Sequence, residues 1–292
     1  MRVSDRRQLI LEAVHERGLL TIGDVTSLVR TSEATARRDL RHLAEEGLIR
    51  RTHGGAAPSL LVSREAPYLE KAQQVAAEKD AIAAAAAEMI SDGETVAIGP
   101  GTTTFALAQR LTAVDNLTVV TNSVLVCAAL ERAPNVHLLL SGGLLRSSTF
   151  ALVGPVAEQS LSGMHVSTLF LSGNGLTAAR GLSTPDVLAA AVDKRLVSSA
   201  ARVVVLVDHT KIGVETMVQT VAPQDISCVI TDANADSVEI ERFRQLGVEV
   251  VVTSPGTSAS GEESAGTSYG EIHRALALPP LDTQRSTQRS PA

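Results

Sequence analysis

Between residues 79 and 252 the chain repeats one pattern: a short apolar run, a polar or glycine-rich loop, then a helix-forming stretch. The runs at 95–98, 117–120, 136–140, 166–171, 203–207, 228–231 and 248–252 are apolar almost throughout rather than alternating with polar residues. A strand that is apolar on both sides must be covered on both sides. This stretch is therefore expected to fold as a largely parallel α/β sheet with helices on its two faces. Helices are expected over 79–90, 105–111, 124–130 and 237–246, and from a Ser183-Thr-Pro185 cap to about Ala201.

Five of the loops follow a strand: 99–104, 121–123, 141–146, 172–175 and 208–213. In open α/β sheets, ligands bind beyond the carboxyl ends of the strands. Gly101-Thr102-Thr103-Thr104 ahead of a helix offers backbone N–H groups, hydroxyls and a helix N-terminus, a cradle suited to phosphate. Thr121-Asn122-Ser123, Gly142-Gly143 and Gly173-Asn174 add hydrogen-bonding groups, and Asp208-x-x-Lys211 adds the one cation read into this set. Each loop alone is equally a tight turn that needs glycine. Five on one edge, with Lys211 among them, point instead to a small anion. Gly99-x-Gly101-x-x-Thr104 lacks the third glycine of a dinucleotide fingerprint, and no Gly-Lys-Ser/Thr signals a nucleoside triphosphate.

The first 56 residues read differently. A helix over 3–17, with Val3, Leu9, Ile10, Ala13 and Val14 at helical spacing, is closed by Gly18. Thr21-Ile-Gly-Asp24 is a capping box opening a second helix with Ile22, Val25, Leu28 and Val29 inward. After a short turn, Ser32 caps a third helix with Glu33 in its first turn, and Ala36, Leu40, Leu43 and Ala44 form one apolar stripe. Ala34, Arg38 and Arg41 face away from that stripe, with Thr35 and Arg37 on its flanks. A ribbon over 48–55 follows, carrying Arg50, Arg51, His53 and a glycine turn. Helix, helix, turn, helix, ribbon is the winged helix-turn-helix arrangement, whose third helix enters a major groove. The plain alternative for the arginines is a solvated face, which the capped helix pair before them and the ribbon after them argue against. The residues expected at double-stranded DNA are Thr21, Ser32, Glu33, Thr35, Arg37, Arg38, Arg41, Arg50, Arg51 and His53.

Charge supports this division. The net charge is −6, yet residues 1–53 carry ten arginines against eight carboxylates, leaving −8 on the remainder. A weakly basic head on an acidic body fits a DNA reader joined to something else. With aromatics at 2%, reading of unpaired bases by stacking is not expected. Cys127 and Cys228 suggest free thiols rather than a disulfide framework or metal knuckle. No apolar leader or membrane-length run occurs, so a soluble cytoplasmic protein is expected. The expected division is a head at 1–56, a connector at 57–78 broken by Pro58 and Pro67 before a helix begins near Glu70, a body at 79–253, and a Gly/Ser/Thr-rich tail at 254–292 expected to be disordered.

Ser32-Glu-Ala-Thr-Ala-Arg-Arg-Asp-Leu40 together with Gly47-Leu-Ile-Arg-Arg-Thr-His-Gly-Gly-Ala56 resembles the DeoR-type bacterial repressors. The resemblance continues in Lys79-x-x-Ile-Ala, Gly-Thr-Thr, Thr-Asn-Ser, Gly-Gly and Asp208-x-x-Lys211-x-Gly, and covers about residues 3–252. It implies a sensor body similar in fold to ribose-5-phosphate isomerase and an effector that is a phosphorylated sugar. It further implies that Thr102, Thr103 and Thr104 hold phosphate, Asn122 and Asn174 reach sugar hydroxyls, and Lys211 meets an anionic or carbonyl oxygen. The competing reading is an isomerase-like enzyme with a DNA-binding head. Isomerisation needs a carboxylate base beside the substrate carbon. The loop that carries acidic residues in the isomerase reads Gly173-Asn174-Gly175 here, and Asp208 and Asp186 are each explained as helix or turn caps. A binding module is therefore expected, with no catalytic residue, cofactor or metal. A homo-oligomer, dimer or tetramer, should present paired heads to an operator.

Overall fold

The computed structural model describes residues 3–17, 20–45, 49–52, 54–58 and 67–255. His53 and nearly all of the expected tail lie outside the described residues.

The head consists of α1 (Val3–Arg17), β1 (Leu20–Thr21), α2 (Ile22–Val29), α3 (Glu33–Glu45), β2 (Ile49–Thr52) and β3 (Gly55–Pro58). Thr21 ends β1 and caps α2: its hydroxyl accepts from the Asp24 amide at 3.2 Å, and the Asp24 carboxylate accepts from the Thr21 amide at 2.8 Å. The Ser32 hydroxyl accepts from the Thr35 amide at 3.3 Å at the start of α3. Ala36, Leu40 and Leu43 are buried with Ile10, Val14, Val25, Val29 and Ile49 in a core of the head's own. Burying each leucine contributes roughly 1.5–3 kcal/mol as an upper figure. In α1 the inward stripe is narrower than expected, since Val3 and Leu9 are exposed and Ile10, Ala13 and Val14 carry the packing. The ribbon is a wing of three antiparallel strands in the order β1-β3-β2. β3 passes so close to β1 that a Cβ on Gly55 would lie 1.8 Å from the Leu20 carbonyl oxygen, which is why glycine stands there.

The body runs α4 (Tyr68–Gln73), α5 (Ala76–Ala87), β4 (Thr95–Ile98), α6 (Thr102–Arg110), β5 (Leu117–Thr121), α7 (Val124–Leu130) and β6 (Val136–Leu140). It continues through β7 (Leu144–Arg146), β8 (Ala151–Val153), α8 (Pro155–Ser160), β9 (Val166–Leu171), β10 (Gly175–Thr177), β11 (Gly181–Thr184) and α9 (Val187–Ser199). The last elements are β12 (Ala200–Leu206), β13 (Val218–Val221), β14 (Cys228–Asp232), α10 (Ser237–Gln245) and β15 (Glu249–Thr253). Seven strands form one parallel sheet in the order β15-β14-β12-β9-β4-β5-β6. Both faces are covered, because side chains alternate between two cores. Phe170, Val204 and Leu206 pack on one face, and Leu169, Leu171, Val203 and Val205 on the other.

From β4 the sheet grows outward through β5 to β6, and the chain then returns to β4's other side and grows through β9, β12 and β14 to β15. The junction of β4 and β9 is thus the topological switch point, where loops diverge and leave a crevice.

Three expectations need correction. The helix expected over 79–90 runs instead over Ala76–Ala87. Ser183 and Thr184 do not cap a helix; they lie in β11, which pairs with β10 and β13 in a small antiparallel sheet. Their hydroxyls are used there, Ser183 donating to the Gly175 carbonyl and accepting from the Thr216 amide. The cap of α9 is Asp186, which accepts from the Ala189 amide at 2.7 Å. The helix expected from residue 105 begins at Thr102, with Gly101 as its cap, so the threonines form its first turn.

Candidate functional site

A cavity opens at the switch point. After β4 come Pro100, Gly101, Thr102 and Thr103; after β9, Ser172, Gly173 and Asn174; after β12, Asp208 and Lys211. The hairpin of β7 and β8 adds Arg146, Thr149 and Ala151, α9 adds Ala189 and Asp193, and Thr184 ends β11 beside them. Tyr68 and Lys71 of α4 and Lys79 of α5 close the wall. The chain has only four lysines, Lys71, Lys79, Lys194 and Lys211, and three of them line this one space.

Their charges are arranged around Asp208. This carboxylate is 2% exposed, caps the turn His209–Lys211, and accepts from the Thr210 amide at 3.0 Å and from the Thr210 hydroxyl. Its other oxygen lies 4.0 Å from the Lys79 ammonium. Lys79 is buried, and its ammonium donates to the carbonyls of Lys71 and Gln74, the latter at 2.7 Å. Burial pushes the Lys79 pKa down to about 8; Asp208 opposes this, while Lys211 and Lys71 add to it. Burial likewise lowers Lys211, again against Asp208 and with Lys71. The three ammonium groups therefore feel one another across the cavity. Arg146 pairs with Asp186 at 3.1 Å, and the Asn174 side-chain Oδ1 accepts from the Thr184 hydroxyl at 3.3 Å. The N-terminus of α6 faces the same space through Gly101, Thr102 and Thr103, and its unpaired N–H groups favour an anion there.

Of the residues nominated from sequence, Gly101, Thr102, Thr103, Gly173, Asn174, Asp208 and Lys211 line the cavity. Thr104 does not; its hydroxyl turns back to the Gly101 carbonyl at 3.1 Å. Thr121, Asn122, Ser123, Gly142 and Gly143 also lie outside the lining, because they follow β5 and β6, one and two strands away from the switch point. Their groups hold the scaffold. Thr121 donates to the Ile98 carbonyl at 2.6 Å, Asn122 donates to the Leu152 carbonyl at 3.1 Å, and Ser123 caps α7. Gly143 sits at φ +117, and a Cβ there would lie 2.8 Å from the Val153 carbonyl oxygen, so it shapes the β7–β8 hairpin. His209 neither faces solvent freely nor reaches the cavity, since its amide and ring Nδ1 both bond Asp232, at 2.7 and 2.9 Å.

Sequence reasoning did not nominate Tyr68, Lys71, Lys79, Arg146 or Asp193. Lys79 was present as a motif residue and Arg146 as the residue beyond a glycine loop. Tyr68 and Lys71 fall in the stretch read as connector, where nothing but their residue types could have signalled them.

On the head, Ser32, Glu33, Arg38 and Arg41 are exposed, and Thr35 is half-buried at the N-terminal end of α3. Arg37 is exposed and ion-paired with Glu33 one turn earlier, its Nε at 3.1 Å. Thr21 is exposed at the cap of α2, and Arg50 and Arg51 fall in β2. Asp39, within the Arg-Arg-Asp-Leu run, is 1% exposed and accepts from Arg6 at 2.6 Å and Arg7 at 3.0 Å, which fastens α3 to α1. Burial raises the Asp39 pKa; the hydrogen bonds and charges of the two arginines outweigh it and hold the carboxyl below its ordinary range. Among the described residues no helix is long and apolar enough to cross a membrane, and no His, Cys, Asp or Glu group could hold a metal.

A winged helix-turn-helix head followed by a parallel α/β body with a cationic crevice defines a two-part DNA-binding regulator. The DeoR-like helix-turn-helix domain matches residues 6–59 and the DeoR C terminal sensor domain matches residues 74–233, so the chain belongs to the DeoR family of transcriptional regulators. Among its relatives is the HTH-type transcriptional regulator GlpR of Haloferax volcanii, 36% identical over 85% of this chain and 97% of that protein. The putative aga operon transcriptional repressor of Escherichia coli O157:H7 is 32% identical over 85% of this chain and 93% of its own length. The lactose phosphotransferase system repressor of Streptococcus mutans is 32% identical over 81% and 94%. Among solved structures, a D-ribose-5-phosphate isomerase in complex with phospho-erythronic acid aligns over 46% of this chain and 52% of that one, at 16% identity and a TM-score of 0.35, a likeness too weak to carry function.

Proposed function

We propose that this chain is a repressor of carbohydrate-catabolic genes whose grip on its operator is set by a phosphorylated sugar bound at the switch-point cavity. One observation carries the effector half: three of the four lysines of an acidic protein converge on the space that the α6 N-terminus faces. A dianionic phosphate suits that charge, and Asn174 and Thr184 supply the polar groups that sugar hydroxyls need. The named relatives, an aga operon repressor and a lactose system repressor, fit the same direction. The repressor half rests on α3, whose arginines face outward from a buried stripe and can reach phosphates and guanine edges in a major groove. One head makes too few contacts for operator affinity, so a dimer or tetramer is part of the proposal.

We read the chain as a sensor rather than an enzyme. Asp208 is committed to Thr210 and faces Lys79, which makes it an anchor for the Lys211 turn rather than a base beside a substrate carbon. The test is a mobility shift with DNA from upstream of the chain's own gene and of neighbouring sugar genes, repeated with a panel of sugar phosphates. Retarded DNA whose binding changes with one sugar phosphate supports the proposal. DNA binding indifferent to every member, or isomerised product in the mixture, overturns it.

A further inference from the structure

The wall of the cavity contributed by α4 belongs to neither matched family unit, which end at residue 59 and begin at residue 74. Yet α4 follows the head directly: nine residues separate Pro58 from Tyr68, a reach of at most about 35 Å. At each end of this short helix, the residue that fastens it to the body, Tyr68 or Lys79, also lines the cavity.

At its start, Tyr68 is 3% exposed, and its ring meets the edges of Phe105 and Phe150 at 6.3 and 5.8 Å, both near perpendicular. Phe105 lies on α6, whose N-terminus faces the cavity, and Phe150 lies in the β7–β8 turn beyond Arg146. The Tyr68 amide donates to the Ser148 carbonyl in that same turn at 2.9 Å. At its end, the carbonyls of Lys71 and Gln74 are taken by the buried ammonium of Lys79. A six-residue helix leaves its last carbonyls unsatisfied, so this ammonium supplies partners that water would otherwise provide. Between the two anchors the Lys71 side chain lines the cavity. Its charge is felt at both other lysines, disfavouring the charged form of each.

Resting on the effector reading above, we infer that Lys71 is an effector-binding residue carried by the helix that leads out of the DNA-binding head, so that anion capture and the placement of the head are one equilibrium. An anion held among Lys71, Lys211 and the α6 N-terminus draws these two ammonium groups together where they otherwise repel. The movement of Lys71 is then a movement of α4, held at one end by Tyr68 and at the other by Lys79. Coupling of this kind is reciprocal: operator binding must alter anion affinity by the same factor that the anion alters operator affinity.

The experiment uses the full chain with inorganic phosphate as the probe, followed by the unfolding midpoint and by the anisotropy of labelled operator DNA. Lys71→Met is expected to need at least tenfold more phosphate for the wild-type rise in midpoint and to lose most of the phosphate effect on operator binding. Lys71→Arg keeps a charge on the same helix and should recover phosphate binding to within a few-fold. Lys194→Met, at the exposed lysine outside the cavity, should behave as wild type. If Lys71→Met and wild type respond at the same phosphate concentration, the inference fails while the effector reading stands. If the wild type responds neither to phosphate nor to any sugar phosphate, both fail. Should Lys71→Met not fold, Lys71→Arg decides: phosphate affinity recovered without coupling to the operator also overturns the inference.

Discussion

The two halves of the molecule spend their positive charge in opposite ways. The first 53 residues hold ten arginines and no lysine, and on α3 these point to solvent; the body gathers three of the chain's four lysines inside one crevice. Outward guanidiniums are fixed charges with forked donors, suited to an extended polyanion met at several points. Gathered ammonium groups are compact and repel one another until an anion arrives, and burial brings Lys79 among them down to about 8. The arginine charge of the head is therefore constant across the physiological range, while the Lys79 charge in the crevice depends on pH.

The comparison breaks most sharply at Asp39, the carboxylate that makes the outward face of α3 possible. Asp39→Ala leaves Arg6 and Arg7 facing an empty buried site and should cost about 2–3 kcal/mol of head stability, the pair's partial exposure keeping the figure below that of a fully buried one. Calorimetry should show the head transition moving down with the body transition unchanged; equal movement of both would mean that the halves do not fold as separate units. Because the folded-state pKa of Asp39 is depressed, its contribution is full above about pH 4 and is lost as pH falls through the lowered value. Next come Arg38→Ala and Arg41→Ala, each expected to weaken operator binding by about 1–3 kcal/mol without altering anion affinity. Salt titration then separates a base-reading arginine, which loses sequence preference, from a phosphate contact, which flattens the salt slope. Arg37 should cost less, since its ion pair with Glu33 must be broken before it can serve DNA.

Acidity sharpens the contrast from the other side. Lys79 is depressed to about 8, so anion affinity should fall as pH rises through about 8, while operator binding without effector stays level. The linkage runs the other way for folding. The unfolded chain binds more protons than the folded one between about pH 8 and the ordinary lysine value, so this group's drag on stability is relieved across that window. Anion affinity unchanged from pH 7 to 9.5 would remove the ammonium cluster from the site. The smallest effect is expected at Thr121→Ala. Its hydroxyl is spent on the Ile98 carbonyl, so stability should drop by about 1 kcal/mol with anion affinity within threefold of wild type.

How far the sequence could be read depended on how local the cause was. Runs such as Val203–Leu206 were legible because burial on both faces leaves no polar residue in them. The capping box at Thr21 and the stripe of α3 were legible for the same reason, since each is written within a dozen residues. The small sheet β10-β11-β13 was not: Ser183 and Thr184 look like a helix cap until strand partners more than thirty residues away, in β13, fix them as strand and the Thr216 amide bonds the Ser183 hydroxyl. In the site, the loops after β4, β9 and β12 were recognisable as loops, but only strand order shows that these three meet and that those after β5 and β6 do not. Lys71 and Tyr68 needed the tertiary structure outright. They lie in a stretch whose prolines and serines read as connector, and their role comes from what α4 packs against.

Lys211 decides whether the crevice is a sensor. A calorimetric titration of the active sugar phosphate into wild type and Lys211→Ala, with unfolding and operator affinity measured on the same samples, is the direct test. The expected result is unchanged folding and unchanged operator affinity, with effector binding weakened by roughly 1.5–3 kcal/mol, on the order of tenfold to a hundredfold, and release of the operator shifted to match. Wild-type effector affinity in Lys211→Ala would place the sensor site away from the lysine crevice.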